Sequence, residues 1–145
     1  VSVIDSFGGA WRFLSNFYAA EIPWQGRLWP SVEHAFQAAK TLSYSEQEEI
    51  RRAATPGKAK RLGRKVQLRD DWEDIKVDAM RELVHLKFHS HEDLARWLLD
   101  TGDAELIEGN HWHDCFWGVC QGRGENWLGR ILMEVRDELK EMHDA

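Results

Sequence analysis

Apolar and polar positions fall into two regimes along the chain. Over the first thirty residues they cluster without a helical period. Phe13 to Ile22 is apolar and aromatic, Gln25-Gly26 is a turn signal, and Leu28-Trp29 runs into Pro30. Short strands joined by turns are the simplest reading, forming a small antiparallel sheet. Beyond Pro30 the spacing becomes helical. Ser31 is an N-cap for a helix to about Leu42, and Ser45 with Glu48 forms a capping-box pattern for a second. Thr55 before Pro56 opens a third, reaching about Val66, since proline at the first helical position forfeits no helical hydrogen bond. Asp70 and Asp71 lead into a longer helix with Trp72, Ile75, Ala79, Leu83 and Leu86 along one face. Ser90 caps a fifth, which ends near the natural stop Gly102. Glu105 to Trp117 mixes turn residues with aromatics and predicts a short strand and an ordered loop. Leu128, Ile131, Leu132, Val135, Leu139 and Met142 then mark a final helix. The predicted fold class is α+β, a helix-rich single domain over residues 1–145 with a small antiparallel sheet.

Composition narrows this picture. A chain of 145 residues can bury one proper core and is too short for two ordinary ones. Nothing reads as a secretory signal, and no apolar run approaches membrane-spanning length. Two cysteines, Cys115 and Cys120, are too few for a disulfide framework and lack zinc-site spacing. Buried free thiols in a reducing, cytoplasmic compartment are expected. Eight tryptophans are many for this length. Each needs a partner for its indole N–H if buried, and each is well suited to stacking on sugars and bases. A core role is the simpler reading of any one of them, while the set tilts towards a planar or sugar-like ligand.

The net charge of −6 argues against indiscriminate nucleic-acid binding and for a small-molecule partner. Its distribution is uneven. Arg51, Arg52, Lys58, Lys60, Arg61, Arg64, Lys65 and Arg69 follow one another with no acid between the first and the last. Such a stretch suits a phosphate or diphosphate, or is a solvated helix face.

Two segments carry candidate chemistry. With Ser31 as cap, Glu33 falls in the first helical turn, where the helix dipole favours a negative charge. A carboxylate held there can steady a cationic transition state or orient a water. Glu33, Gln37 and Lys40 stand at i, i+4 and i+7 and share one face, which is ordinarily the wet side of a helix. In the second segment Asp114 is flanked by Trp112, Cys115, Phe116 and Trp117. It is placed either for proton transfer or for bonding the backbone amides of a turn. No metal and no cofactor is expected, since the His85–His89 pair lacks a glutamate after its first histidine. Gly122-Arg123-Gly124 opens like a dinucleotide fingerprint, but Trp127 stands where the third glycine belongs.

Taken together, the segments resemble the YbiA-like (NADAR) family. The matching stretches are Phe13 to Phe17, Trp29 to Lys40, Ala59 to Arg64, Asp71-Trp72, Lys87-Phe88, Leu98 to Gly102, Asp114 with Trp117-Gly118, and Gly124 to Gly129. They cover almost the whole chain in order, and the run Ser31 to Lys40 is the most specific of them. The resemblance implies an N-glycosidase acting on phosphorylated riboflavin-biosynthesis intermediates, which releases an aminopyrimidine base and ribose 5-phosphate. Other members remove ADP-ribose from guanine in DNA, so a nucleic-acid substrate is the alternative. A module that binds ADP-ribose or NAD without cleaving it is a third reading. The resemblance further implies that Glu33, Trp72 and Asp114 are functional positions. Glu33 would stabilise the transition state, Asp114 would assist the departing nitrogen, and Trp72 would stack on the base or shape the pocket. Lys40 supports another mechanism, in which its amine attacks the anomeric carbon. Asn16, Gln37, Arg64, Trp117 and Asn126, all within the matching stretches, complete the expected substrate-binding set.

Overall fold

The computed structural model describes residues 2–144. In chain order the elements begin with β1 (Val3–Ile4), a 3-10 segment (Gly9–Leu14), β2 (Ile22–Trp24) and β3 (Arg27–Trp29). Helices α1 (Val32–Ala39), α2 (Tyr44–Arg51), α3 (Pro56–Gly63), α4 (Trp72–His89) and α5 (Glu92–Asp100) follow. Strands β4 (Glu105–Leu106), β5 (Gly109–Asn110) and β6 (Val119–Cys120) precede the last helix, α6 (Trp127–Asp144). The α+β class is as expected. Two compact units are formed, one from Asn16–Ser90 and the other from the segment ending at Ser15 with the chain from His91 onwards.

In the Asn16–Ser90 unit, α1 is the central element. It packs against α2, α3 and α4 and against the hairpin of β2 and β3. All eight of its residues are buried. The hairpin turns at Gln25-Gly26, both at positive φ, and pairs Ile22 with Trp29 and Trp24 with Arg27. Trp29 is almost fully enclosed and donates its indole N–H to the Trp24 carbonyl at 3.0 Å. Trp24 in turn donates to Glu82 at 2.9 Å. These tryptophans are core anchors whose N–H groups are satisfied inside the protein, as burial requires.

In the other unit, β4 lies on α6, α5 packs against α6, and β1 pairs with β4. Gly102, at φ +64, ends the α5 segment as predicted, because an L side chain would be strained there. Phe13 sits edge-on to Trp97 at 5.6 Å between centroids.

Several predicted boundaries move. The hairpin is the one antiparallel pair of strands among the described residues; β1–β4 and β5–β6 are parallel pairs. Strands of two residues have no alternation to read, so neither their partners nor their direction could be predicted. Helix α2 starts two residues early because Ser43, not Ser45, caps it, accepting the Glu46 N–H at 3.3 Å. Glu48 instead pairs with Arg51 at 2.7 Å and Arg27 at 3.0 Å. Helices α1 and α3 each stop after about two turns, at Ala39 and Gly63, short of the expected Leu42 and Val66. Ser90 closes α4, and His91 is the N-cap residue of α5. The buried stripe of α4 is Trp72, Met80, Leu83, Val84, Lys87 and Phe88, with Ile75, Ala79 and Leu86 only half-buried. Of the two free thiols, Cys120 is buried as expected and Cys115 is exposed.

Candidate active site

The N-terminus of α1 is held by three hydrogen bonds, two of them local. Ser31 accepts the His34 N–H on its hydroxyl at 3.2 Å, and its carbonyl accepts the Ala35 N–H at 3.3 Å. The Glu33 N–H reaches the Asn16 carbonyl at 3.1 Å. Asn16 thereby satisfies one of the donors a helix start leaves open, and its side-chain amide contacts the Met80 sulfur at 3.5 Å. His34 is held at both ring nitrogens, by the Ser31 hydroxyl at 2.7 Å and the Ala53 carbonyl at 3.0 Å. Burial lowers its pKa below the ordinary 6.5, and the Ala53 bond only partly opposes that.

The Glu33–Gln37–Lys40 face is not the wet side of a helix. Glu33 is 7% exposed and Gln37 4%. Polar groups are buried at a price unless they are paired, and here Gln37 Nε2 donates to Glu33 Oε2 at 2.6 Å. Gln37 Oε1 is buried without a hydrogen-bond partner among the described residues. Lys40 caps the other end of α1 and is half-buried. Burial lowers the pKa of its ammonium, the Glu33 charge opposes this, and the charges of Arg64 and Lys60 add to it. A carboxylate, an amide and an amine with weakened proton affinity thus follow one another along one buried helix.

Helix α3 supplies cations beside this row. The long basic run of the sequence divides into paired and unpaired members. Arg51 is bound by Glu48, and Arg69 by Asp71 at 2.6 Å. Lys58, Arg61, Arg64 and Lys65 make no ion pair among the described residues, and with Ala53 and Leu62 they line an open hollow of about 430 Å³. Trp72, at the start of α4, is 6% exposed and packs on Phe36 of α1 at 5.1 Å between ring centroids. So little of its face is open that it shapes the wall behind α1 more than it offers a stacking surface.

Asp114, Trp117 and Asn126 belong to the other unit. Asp114 Oδ1 accepts two backbone amides, from Phe116 at 3.1 Å and Trp117 at 2.9 Å, the turn arrangement that was the second expectation for it. Its own N–H and carbonyl are gripped by the Asn110 side chain. Trp117 is half-buried and meets Phe116 edge-on at 4.8 Å. Asn126, at φ +55, uses both ends of its amide on backbone, accepting from Glu108 N–H and donating to the Leu106 carbonyl, each at 2.9 Å. That amide fixes the loop before α6.

Gly63 is a further member of the site, and its sequence signal is an isolated glycine inside a helical pattern, which marks a close approach. A Cβ there would fall 1.9 Å from Gln37 Oε1. Lys60, felt at Lys40, was legible only as one more charge in the basic run.

The NADAR domain family matches residues 7–140. The chain belongs to the NADAR family. N-glycosidase YbiA of Escherichia coli is 41% identical over 141 residues, covering 95% of this chain and 85% of the relative. A riboflavin biosynthesis protein of Vibrio vulnificus is 48% identical over 132 residues, covering 89% of this chain, which spans only 36% of that longer protein. The NMR structure of Escherichia coli YbiA matches with a TM-score of 0.88 at 39% identity, covering 98% of this chain and 87% of the other. Among the described residues of this NADAR chain, no helix is long and apolar enough to cross a membrane.

Proposed function

We propose that this NADAR protein hydrolyses the C–N glycosidic bond of phosphorylated riboflavin-biosynthesis intermediates, releasing an aminopyrimidine base and ribose 5-phosphate. It is a hydrolase acting on N-glycosyl compounds, the class its relatives' names carry. The observation that carries the finer reading is the Glu33 carboxylate, buried at the first turn of α1 and held by Gln37. As the base departs, positive charge develops on the ribose ring, and a fixed carboxylate in a poorly solvated site stabilises it. The base nitrogen leaves with a proton, and the attacking water adds its oxygen to the anomeric carbon and gives up a proton in return, so the exchange balances. Arg64, with Lys60 beside it, takes the phosphate. Trp72 and Asn16 set the wall and start of α1.

The lowered proton affinity of Lys40 favours a second route to the same products. Its neutral amine attacks the anomeric carbon as the base leaves, the sugar ring opens to an imine, and water then releases ribose 5-phosphate. The cations of α3 and its C-terminal end, which make no ion pair among the described residues, favour a diphosphate, and with it an ADP-ribosyl-guanine substrate. A pure ADP-ribose-binding module gains nothing from a buried carboxylate, which repels an anion.

Base release from a phosphoribosyl aminopyrimidine and from an ADP-ribosylated guanine oligonucleotide separates these readings, with Glu33→Gln as control. Turnover of the first substrate, lost in the variant, is expected. Turnover of the oligonucleotide alone would move the protein to DNA, and tight ADP-ribose binding without cleavage would leave a binding module.

A further inference from the structure

We infer that Gln37 and Gly63 form a clamp that fixes the orientation of the Glu33 carboxylate, an inference that rests on the role given to Glu33 above. Gln37 was expected to touch substrate, yet both ends of its amide face protein. Nε2 donates to Glu33 Oε2 at 2.6 Å. Oε1 lies against the backbone of Gly63, the last residue of α3. A Cβ on Gly63 would stand 1.9 Å from Oε1, 2.8 Å from Cδ and 3.0 Å from the Cβ of Gln37. Only glycine lets the two helices approach with this side chain between them.

The amide has one workable orientation. Turned over, it would set its carbonyl against the Glu33 carboxylate, two acceptors in contact. As it stands, Oε1 is buried with no hydrogen-bond partner among the described residues. A buried acceptor left without a donor is unfavourable, and an apolar side chain of similar length would avoid it. What the glutamine supplies in exchange is a donor that matches only an unprotonated Glu33 Oε2 and holds that carboxyl group in place. Gln37 is therefore a positioning residue, acting on the reaction through Glu33, and Gly63 is the space that permits it.

The test uses phosphoribosyl aminopyrimidine turnover over a range of pH, with thermal melting of every variant. Gln37→Glu is isosteric but puts a second carboxylate where the donor was. The two acids then share a proton, and the acid limb of the kcat profile is expected to move up by about one pH unit or more. Gly63→Ala works from the opposite helix. Alanine suits helical backbone, and the atom nearest its added Cβ is the far end of the flexible Gln37 side chain, so the amide is pushed aside. Misplacement on the order of 1 Å is expected to lower kcat roughly 100-fold with KM changed less than about threefold. An acid limb unmoved in Gln37→Glu, or Gly63→Ala turning over at the parent rate, overturns the clamp. If Gln37→Glu fails to fold, the Gly63→Ala ratio of kcat to KM still decides. Glu33→Gln, run alongside, separates the failures. If it is inactive while the clamp variants behave like the parent, the clamp alone is wrong. If it is fully active, the role of Glu33 is wrong and the clamp falls with it.

Discussion

Replacing Glu33 with glutamine removes one negative charge and almost nothing else. The new amide keeps the side-chain length, and its carbonyl still accepts the Gln37 Nε2 hydrogen now held at 2.6 Å. Exchanging a charged acceptor for a neutral one weakens that bond by about 1 kcal/mol, so the fold is expected to survive. The reaction loses far more. A carboxylate about 4 Å from a developing ribosyl cation, at an effective dielectric of ~20, contributes about 4 kcal/mol. At ~1.4 kcal/mol per factor of ten, kcat is expected to fall on the order of 1000-fold, with KM nearly unchanged. A second readout is independent of substrate. The Glu33 charge holds the Lys40 pKa up against burial, so removing it should lower that pKa further. Lys40 should then react with an amine-directed acylating reagent at lower pH than in the parent, as read by peptide mass spectrometry. Base release within about threefold of the parent would refute the transition-state role, and unchanged Lys40 reactivity would refute the electrostatic coupling.

Lys40→Arg keeps the charge but removes an amine that can become neutral; if the imine route operates, turnover is expected to fall at least ~100-fold. Borohydride added during turnover should then attach the sugar phosphate to Lys40 in the parent only, and full activity of the variant rules the route out. Arg64→Ala should raise KM for the phosphorylated substrate roughly tenfold or more while sparing kcat, the weight of one charge-assisted hydrogen bond. Unchanged KM at low salt would remove Arg64 from the phosphate site. For His34, burial sets the folded pKa below 6.5, so as pH falls through 6.5 the unfolded chain takes up the proton first. Its contribution to stability is therefore full above about pH 6.5 and declines below it, by at most ~1.4 kcal/mol per pH unit. Melting curves from pH 5 to 8 should show a shallower acid decline for His34→Gln than for the parent.

Helix ends were readable where one residue type decides them. Ser31, Thr55 with Pro56, and Gly102 mark termini in the sequence and occupy those places in the fold. Where two hydroxyls compete, as at Ser43 and Ser45, the choice falls to tertiary contacts. Glu46 accepts the Thr41 hydroxyl at 2.6 Å, and that bond helps fix the earlier start of α2. Periodicity also misled at α1. Three polar residues on one face read as a wet surface, but α2, α3, α4 and the hairpin enclose the helix on every side. Burial of a charge cannot be read from a helix in isolation, because it depends on what other segments bring to it. The division of the basic run had the same origin: Glu48 and Asp71 neutralise its ends, and Lys58, Arg61, Arg64 and Lys65 between them make no ion pair among the described residues.

The most direct measurement is product analysis by mass spectrometry after incubating the protein with a phosphoribosyl aminopyrimidine intermediate. Free aminopyrimidine and ribose 5-phosphate should appear in equal amounts with the parent and be absent with Glu33→Gln. An intact substrate, beside ADP-ribose released from a modified guanine oligonucleotide, would contradict the riboflavin-intermediate assignment.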